Sequence, residues 1–578
     1  MVQLRVATAP LWPRLRATVA QTPRACPLLA RQSSSLASSD KQFYATTPIF
    51  YVNAAPHIGH LHSQLLADVY TRYSRWRNPD KGAVMCTGTD EHGLKIQRVA
   101  EAQSIPPKKL CDGVSERFKD LARAANVDYQ IFIRTTEERH RRAVEHVWRE
   151  LDKRGYIYKS SYAGWYAVSD ETYVPEDAVG EVIDSKSGEK YMASTETGTR
   201  VEWMEEENYK FQLSAFREPL LEWLRSAAAP VQPPSRADAL LAELTRPGNT
   251  FLEDLSISRP ASRLTWGISV PDDPGHTIYV WIDALVNYLT AAGYPWQGGE
   301  AFEKGKLWPP DLQVVGKDII RFHALYLPAV LLALDLPLPK TLLTHGHWTM
   351  DSMKMSKSRG NVADPFEAMQ FWGVDTIRMY LMWWGGNSGK DADYSTATIE
   401  RFYKKDLEAQ VGNLASRITT PKVLKKLESP ELLWTMPSTI EEDDKKLLGL
   451  LQALPATYAH HLATFRVDEA IQSVFDAVRE ANWHISHVQP WLKTTSPSAV
   501  HRALFFESET LRIAGILLQP IMPEKTKVLL DVLGVDLARR RFEDCEVGKG
   551  GERTPPAERV QVFPAVVAPG STTEEKGK

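Results

Sequence analysis

Residues 54–62 read Ala-Ala-Pro-His-Ile-Gly-His-Leu-His, which sets His57 and His60 three positions apart just after a proline. Side chains at i and i+3 are neighbours on a helix face. A helix N-terminus offers unpaired N–H groups and a partial positive charge, a setting that suits phosphate. Two imidazoles there can add hydrogen bonds to a phosphate, and Gly59 lets a nucleotide approach the backbone. The plainer reading is a pair of histidines satisfied at a helix cap. A second stretch, residues 350–361, reads Met-Asp-Ser-Met-Lys-Met-Ser-Lys-Ser-Arg-Gly-Asn and sets Lys354 and Lys357 three apart among hydroxyl residues. Such a mobile cationic loop can close over a polyphosphate and neutralise charge that develops on a leaving group. Alone it reads as a solvated surface loop; both stretches in one chain are harder to dismiss.

The elements that must carry these residues alternate. Residues 44–52 form an apolar, aromatic run that reads as a buried strand, broken by 53–56. From Ile58 the apolar positions Leu61, Leu65, Leu66, Val69, Tyr73 and Trp76 recur at three and four, which is helical. Further strand-like runs at 82–87 and 312–315 end in glycine-containing polar turns. The pattern predicts an α/β, Rossmann-like parallel-sheet domain with helices on both faces. The expected division is a catalytic domain at 40–397 interrupted by an inserted connective domain at about 155–247. An all-α domain follows at 398–540, with a break at 520–523, and then a loosely held tail at 541–578.

Composition narrows the classes. At 578 residues the chain needs two or three domains. Apolar residues make up 43% and charged residues 24%, ordinary globular values, and no run is long enough to span a membrane. The net charge of −3 gives no global attraction to nucleic acid, so any such contact needs a local patch. Residues 1–39 differ: they hold Arg5, Arg14, Arg16, Arg24 and Arg31 and no acidic residue, the composition of a mitochondrial transit peptide. The four cysteines, Cys26, Cys86, Cys111 and Cys545, are scattered without a CxxC pair, which argues against a disulfide framework or a cysteine zinc site.

The two lysine- and histidine-bearing stretches resemble the paired signatures of class I aminoacyl-tRNA synthetases: residues 57–60 the first, residues 354–358 the second. The resemblance narrows to the methionyl-tRNA synthetases and covers about 43–535. It is carried also by 48–53 (Pro-Ile-Phe-Tyr-Val-Asn), 88–93 (Gly-Thr-Asp-Glu-His-Gly), 254–259 (Asp-Leu-Ser-Ile-Ser-Arg), 279–288 (Tyr-Val-Trp-Ile-Asp-Ala-Leu-Val-Asn-Tyr) and 316–323 (Gly-Lys-Asp-Ile-Ile-Arg-Phe-His), all in family order.

The resemblance implies ATP-dependent attachment of L-methionine to tRNA(Met) through a methionyl-adenylate. It implies that His57, Gly59, His60, Lys354 and Lys357 bind ATP, with the two histidines and two lysines catalytic. Mg²⁺ would accompany ATP. The methionine pocket maps onto Ile49, Tyr51, Trp281, Ala284, Leu285, Tyr288, Ile319 and His323, with Asp90 gripping the α-ammonium. Ala284-Leu285 stands where bacterial relatives often have Ala-Pro. Asn413, Arg417 and Trp491 correspond to anticodon readers, with Lys404, Lys405, Lys422, Lys425 and Lys426 as nearby phosphate contacts.

Two departures matter. Ala167 and Asp170 stand where relatives carry zinc-binding cysteines, so no zinc is expected. The chain also stops soon after the helical domain, without the appended domain that dimerises some relatives, so a monomer is expected. The reading is an enzyme of the mitochondrial matrix with methionine and tRNA as partners and no membrane association. The alternatives are a non-catalytic RNA-binding protein descended from a synthetase, a Leu-, Ile- or Val-specific enzyme, and a nucleotidyltransferase. Retention of His60 and Lys357, an insertion too small to add an editing domain, and the helical domain with Trp491 count against them in turn.

Overall fold

In chain order, the apolar run expected as a strand is β1 (Phe43–Tyr51), and the helical periodicity from Ile58 is α1 (Ile58–Arg77). They are followed by β2 (Ala83–Asp90), α2 (Pro107–Ala124), β3 (Ile131–Arg134) and α3 (Glu138–Lys153). This is a computed structural model, and it describes residues 41–167, 172–174, 176–183, 189–195, 197–246, 252–296, 307–350, 353–355, 363–385, 389–553 and 561–566. Next come β4 (Ile157–Ala167) and β5 (Val201–Phe211), antiparallel from Ile157↔Phe211 to Ala167↔Val201, the centre of the insertion. The short β6 (Val231–Gln232) and α4 (Val280–Ala291) precede β7 (Leu312–Gly316), β8 (Leu342–His345) and β9 (Trp348–Met350).

Six of these strands form one parallel sheet in the order β3-β2-β1-β7-β8-β6. From β1 the chain builds outward to one edge, then returns by way of the insertion to build the other side from β7. The crevice outside the carboxyl ends of β1 and β7 is therefore the switch point, where such sheets bind ligands. Alternation along β1 explains why both faces are covered. Ala45 packs with α1 through Leu61 and Leu65, and Tyr44 packs on the opposite face with Val286 and Leu289 of α4.

After β9 comes α5 (Val374–Trp384), and the stretch expected to be helical from 398 holds α6 (Glu442–Ala463), α7 (Val467–Val488) and α8 (Pro497–Leu517), with a break at 518–522 where 520–523 was expected. It shares a core with the sheet, since Leu65, Tyr380, Leu447, Val474 and Phe505 belong to one apolar cluster. Arg378 of α5 joins the parts through a fully buried guanidinium. It donates to Asp68 of α1 (2.6 Å), Ala125 O (3.0 Å), Ile521 O (2.8 Å) and Pro520 O (3.1 Å). A buried cation is tolerable because its donors are met this fully.

Two parts differ from expectation. The Pro-rich segment at 229–234, read as part of the insertion, supplies β6, the outermost strand of the main sheet, paired with β8. The residues after 540 are not loosely held throughout. Cys545, Val562 and Phe563 are buried, Tyr403 Oη donates to Pro564 O (2.6 Å) and Lys525 Nζ to Val562 O (2.7 Å). Apolar contacts with the helical region offset the chain entropy that the Gly- and Pro-rich composition implies. Among the described residues, no helix is long and apolar enough to cross a membrane.

Candidate active site

Four neighbouring strands deliver the site from their carboxyl ends. β1 ends at Tyr51 and leads into His57, β2 ends at Asp90, β7 leads into Ile319 and His323, and β8 leads towards the second signature loop. Tyr51 and Asp90 are cross-strand partners, so the aromatic ring and the carboxylate start from adjacent backbone positions.

His57 is the N-cap of α1. Its Nδ1 accepts the Gly59 N–H (3.1 Å), while the His57 N–H donates to His60 Nδ1 (3.1 Å) and the rings stack 3.7 Å apart. The reciprocal cap fixes a tautomer: a neutral ring that accepts at Nδ1 carries its proton on Nε2. Both imidazoles are thus set as Nε2–H donors beside the positive end of a helix. Phe50 and Phe118 pack edge-on against His60 at 5.1 and 5.2 Å. A Cβ at Gly59 would approach His57 Cε1 to 3.0 Å, so the glycine makes room for the stacked imidazole as well as for a ligand.

Of the residues expected to form the methionine pocket, Ile319, Tyr288 and His323 meet directly. Tyr288 and His323 are buried, and Tyr288 Oη lies 2.7 Å from His323 Nε2. His323 Nδ1 lies 3.0 Å from Ile319 O, which can only accept, so Nδ1 carries the proton and the tyrosine donates to Nε2. Burial pushes the imidazole down to about 4, which leaves the ring neutral, and pushes the Tyr288 phenol up. His323 sits in a π-helical turn, Phe322–Tyr326, a local widening common at functional sites. The neighbouring Phe322 stacks on Trp281 at 3.6 Å. Ala284 and Leu285 are buried on α4, while Ile49, Tyr51, Trp281 and Ile319 are half-buried, as a pocket lining requires.

The turn that carries Asp90 is tied at each following residue. The Glu91 carboxylate receives Thr89 Oγ1 (2.8 Å), Arg134 (2.6 and 3.0 Å) and Thr136 (2.5 Å). His92 Nδ1 lies 2.6 Å from Asp283 Oδ2, and the other oxygen of Asp283 lies 2.7 Å from His140 Nε2. Gly93 takes φ of 109°, which a side chain would oppose, and donates to Trp266 O. Burial alone would raise Asp283, but the two histidines overcome it and hold the carboxyl at about 2. Sequence reading missed this His92–Asp283–His140 array because its members lie 191 and 143 residues apart. Asp283, the one charged residue of the largely apolar helix α4, was the available signal. Arg259 was also passed over. It is buried, donates to Ser256 Oγ (2.9 Å) and Ser258 O (2.7 Å), and lies 4.3 Å from the Tyr279 ring just before α4.

Of the second signature, Lys354 pairs with Thr349 of β9 through the backbone, and Lys357 lies outside the described residues. Ala167 is buried at the end of β4, whereas Asp170 lies outside the described residues. Among the described residues no cluster of three or more His, Cys, Asp or Glu has metal-binding geometry.

In the helical region Asn413 and Arg417 are exposed on Asn413–Ile418, a short helix that follows a π-helical turn, Tyr403–Gly412. The Arg417 guanidinium lies 5.8 Å from the Trp491 ring centroid and donates to Ser486 Oγ (3.4 Å). Arg417 and Trp491 thus meet, and Asn413 lies one turn before Arg417 on the same helix. Lys426 does a different task from the expected one: its Nζ donates to Pro490 O (2.8 Å) and Leu492 O (2.6 Å), clamping the turn that presents Trp491. Lys404 pairs with Glu400 (2.6 Å).

Residues 43–419 match the family model for "tRNA synthetases class I (M)". A relative from Neurospora crassa, a probable mitochondrial methionine–tRNA ligase, is 46% identical over 517 residues, covering 88% of this chain and 82% of that protein. The mitochondrial methionine–tRNA ligase of Homo sapiens is 41% identical over 520 residues, covering 87% and 85%. Among solved structures, the Mycobacterium tuberculosis methionyl-tRNA synthetase in complex with methionyl-adenylate superposes with a TM-score of 0.81 at 35% identity, covering 91% of this chain and 100% of that one.

Proposed function

This chain belongs to the class I methionyl-tRNA synthetases, and from that premise we infer that it attaches L-methionine to tRNA(Met) in mitochondria, using ATP. The observation that carries the reading is the convergence, at the switch point of one parallel sheet, of paired Nε2–H imidazoles with a neutral aromatic slot and the Asp90 turn.

Asp90 accepts the α-ammonium of methionine and so aims its carboxylate. The thioether lies in the slot of Trp281, Leu285, Tyr288 and His323. A neutral His323 keeps that slot free of net charge, which suits a polarizable, uncharged side chain. Apolar contacts alone discriminate by about 1–3 kcal/mol per methylene, so the fixed Tyr288–His323 pair adds shape that cannot collapse around a smaller side chain. A carboxylate oxygen attacks the α-phosphorus of ATP, and the bond to the bridging oxygen of pyrophosphate breaks. Catalysis is mainly positioning and charge stabilisation. His57 and His60 donate from Nε2 to phosphate oxygens, and Lys354 and Lys357 neutralise the leaving pyrophosphate. Mg²⁺ bound with ATP would supply further charge compensation. A hydroxyl at the 3′ end of tRNA then takes the methionyl group and AMP leaves.

Asn413, Arg417 and Trp491 form the anticodon-reading surface, since exposed aromatic and guanidinium planes suit unpaired bases. The acid-free residues 1–39 support delivery to the matrix. We hold the insertion to be zinc-free and the enzyme to be monomeric. The test is tRNA charging by the purified chain beside tRNA-free, methionine-dependent ATP–pyrophosphate exchange, for the native chain and Trp491→Ala. Loss of charging with exchange intact supports the division of labour; equal loss in both assays refutes it.

A further inference from the structure

Among the described residues, Trp203 and Trp483 are the tryptophans more than half exposed. Trp203 lies in a strand with Glu202, Glu205, Glu206 and Glu207, surroundings that repel a polyanion. Trp483 is different. It stands on the exposed strip of α7, 53% exposed, with its ring stacked on His487 one turn later at 5.3 Å and 8°. The imidazole is itself held, His487 Nε2 lying 3.3 Å from Asp443. The indole is therefore backed by the histidine and leaves much of its surface open to water.

This plate adjoins the surface assigned above to the anticodon. Ser486, next to His487, receives the hydrogen bond from Arg417, whose guanidinium faces Trp491. α7 ends at Gln489 in the left-handed region (φ 51°), and that turn folds Trp491 back beside the helix end. Arg417 thus reaches both the Trp491 ring and Ser486, which lies three residues after Trp483 on α7. On this strip Trp483 is flanked by the polar Arg479, Glu480, Ser486 and His487, and the Glu480 carboxylate is paired with Lys446 (2.6 Å). A flat ring among hydrogen-bonding side chains suits a stacked base.

We propose that Trp483, backed by His487, is a second stacking platform for an unpaired nucleotide of the tRNA anticodon loop, beside that of Trp491. The inference rests on the reading of Asn413, Arg417 and Trp491 as the anticodon surface. Removing the indole weakens tRNA binding without touching the adenylate site.

The test uses the full chain as Trp483→Ala, Trp483→Phe and Trp491→Ala, with a tRNA(Met) transcript. The readouts are KM for tRNA in charging and tRNA-free ATP–pyrophosphate exchange. Trp483→Ala raises KM for tRNA by about fivefold or more with exchange unchanged, and Trp483→Phe keeps most of the affinity. Impaired charging in Trp491→Ala beside native behaviour in Trp483→Ala overturns this inference and leaves the anticodon reading intact. Native charging in both alanine variants overturns that reading and this inference with it. A matching fall in exchange makes Trp483 a structural residue and also overturns the proposal.

Discussion

Asp283→Asn tests whether the buried array behind the pocket positions methionine or only fills space. The carboxylate is fully buried and receives His92 at 2.6 Å and His140 at 2.7 Å. Asparagine keeps the volume but removes the charge and turns one acceptor into a donor. A hydrogen bond to a charged group contributes about 1.5–3 kcal/mol, so weakening two of them should cost folding about 2–4 kcal/mol. The consequence for substrate follows from the chain. Asp90 is two residues before His92, and Trp281 and Ala284 flank Asp283 on α4. Loosening the His92–Asp283 link frees the ammonium-gripping turn relative to the aromatic wall. KM for methionine should rise about tenfold, roughly 1.4 kcal/mol, while KM for ATP stays near the native value, because the reciprocal cap of α1 and the Phe50 and Phe118 rings that hold His57 and His60 are not members of the array. The assay is ATP–pyrophosphate exchange with each substrate varied in turn, beside thermal unfolding. A lowered melting temperature with an unchanged KM for methionine refutes the positioning role and leaves only packing.

Other consequences are smaller in scope. Tyr288→Phe leaves His323 Nε2 buried without its donor, a loss of about 1–3 kcal/mol; exchange kinetics should show weaker methionine binding with ATP binding unchanged. Gly59→Ala drives a Cβ to 3.0 Å from His57 Cε1; the stacked cap shifts, and the exchange rate should fall at least about tenfold while circular dichroism keeps the native helix content. In the helical domain, burial alone would lower His484, but Glu507 and Asp444, at 2.7 and 2.9 Å, raise it to about 9. A raised folded value means that this stabilisation is complete below about 6.5 and is lost as pH rises through about 9. Melting temperature should therefore fall between pH 7 and 10, and His484→Asn should flatten that slope from a lower starting value.

Much of the site was legible because chemistry and local structure coincide. A parallel sheet places ligands at strand ends, so the short runs after 51, 90, 316 and 345 carry both the turn residues and the reactive ones. The helix from Ile58 and the break near 520 follow from periodicity and proline. What escaped depends on contacts between distant segments. A two-residue edge strand inside a Pro-rich stretch has no period of its own, and only β8 makes Val231–Gln232 a strand. The π-helical turns at His323 and ahead of Asn413 change which way side chains point without any local composition signal. Lys426 reads as a phosphate contact because a surface lysine usually meets water or anions, yet here two carbonyls of the Trp491 turn accept its hydrogen bonds. Trp483 lies outside the family's motifs, and its exposure exists only once α7 is packed.

The central claim is that this site activates methionine at the paired histidines. ATP–pyrophosphate exchange should be measured with methionine, leucine, isoleucine and valine in turn, for the native chain and for His60→Asn. Exchange is expected with methionine alone, reduced about a hundredfold or more in His60→Asn with folding intact. Comparable exchange with leucine, or full exchange in the variant, would contradict it.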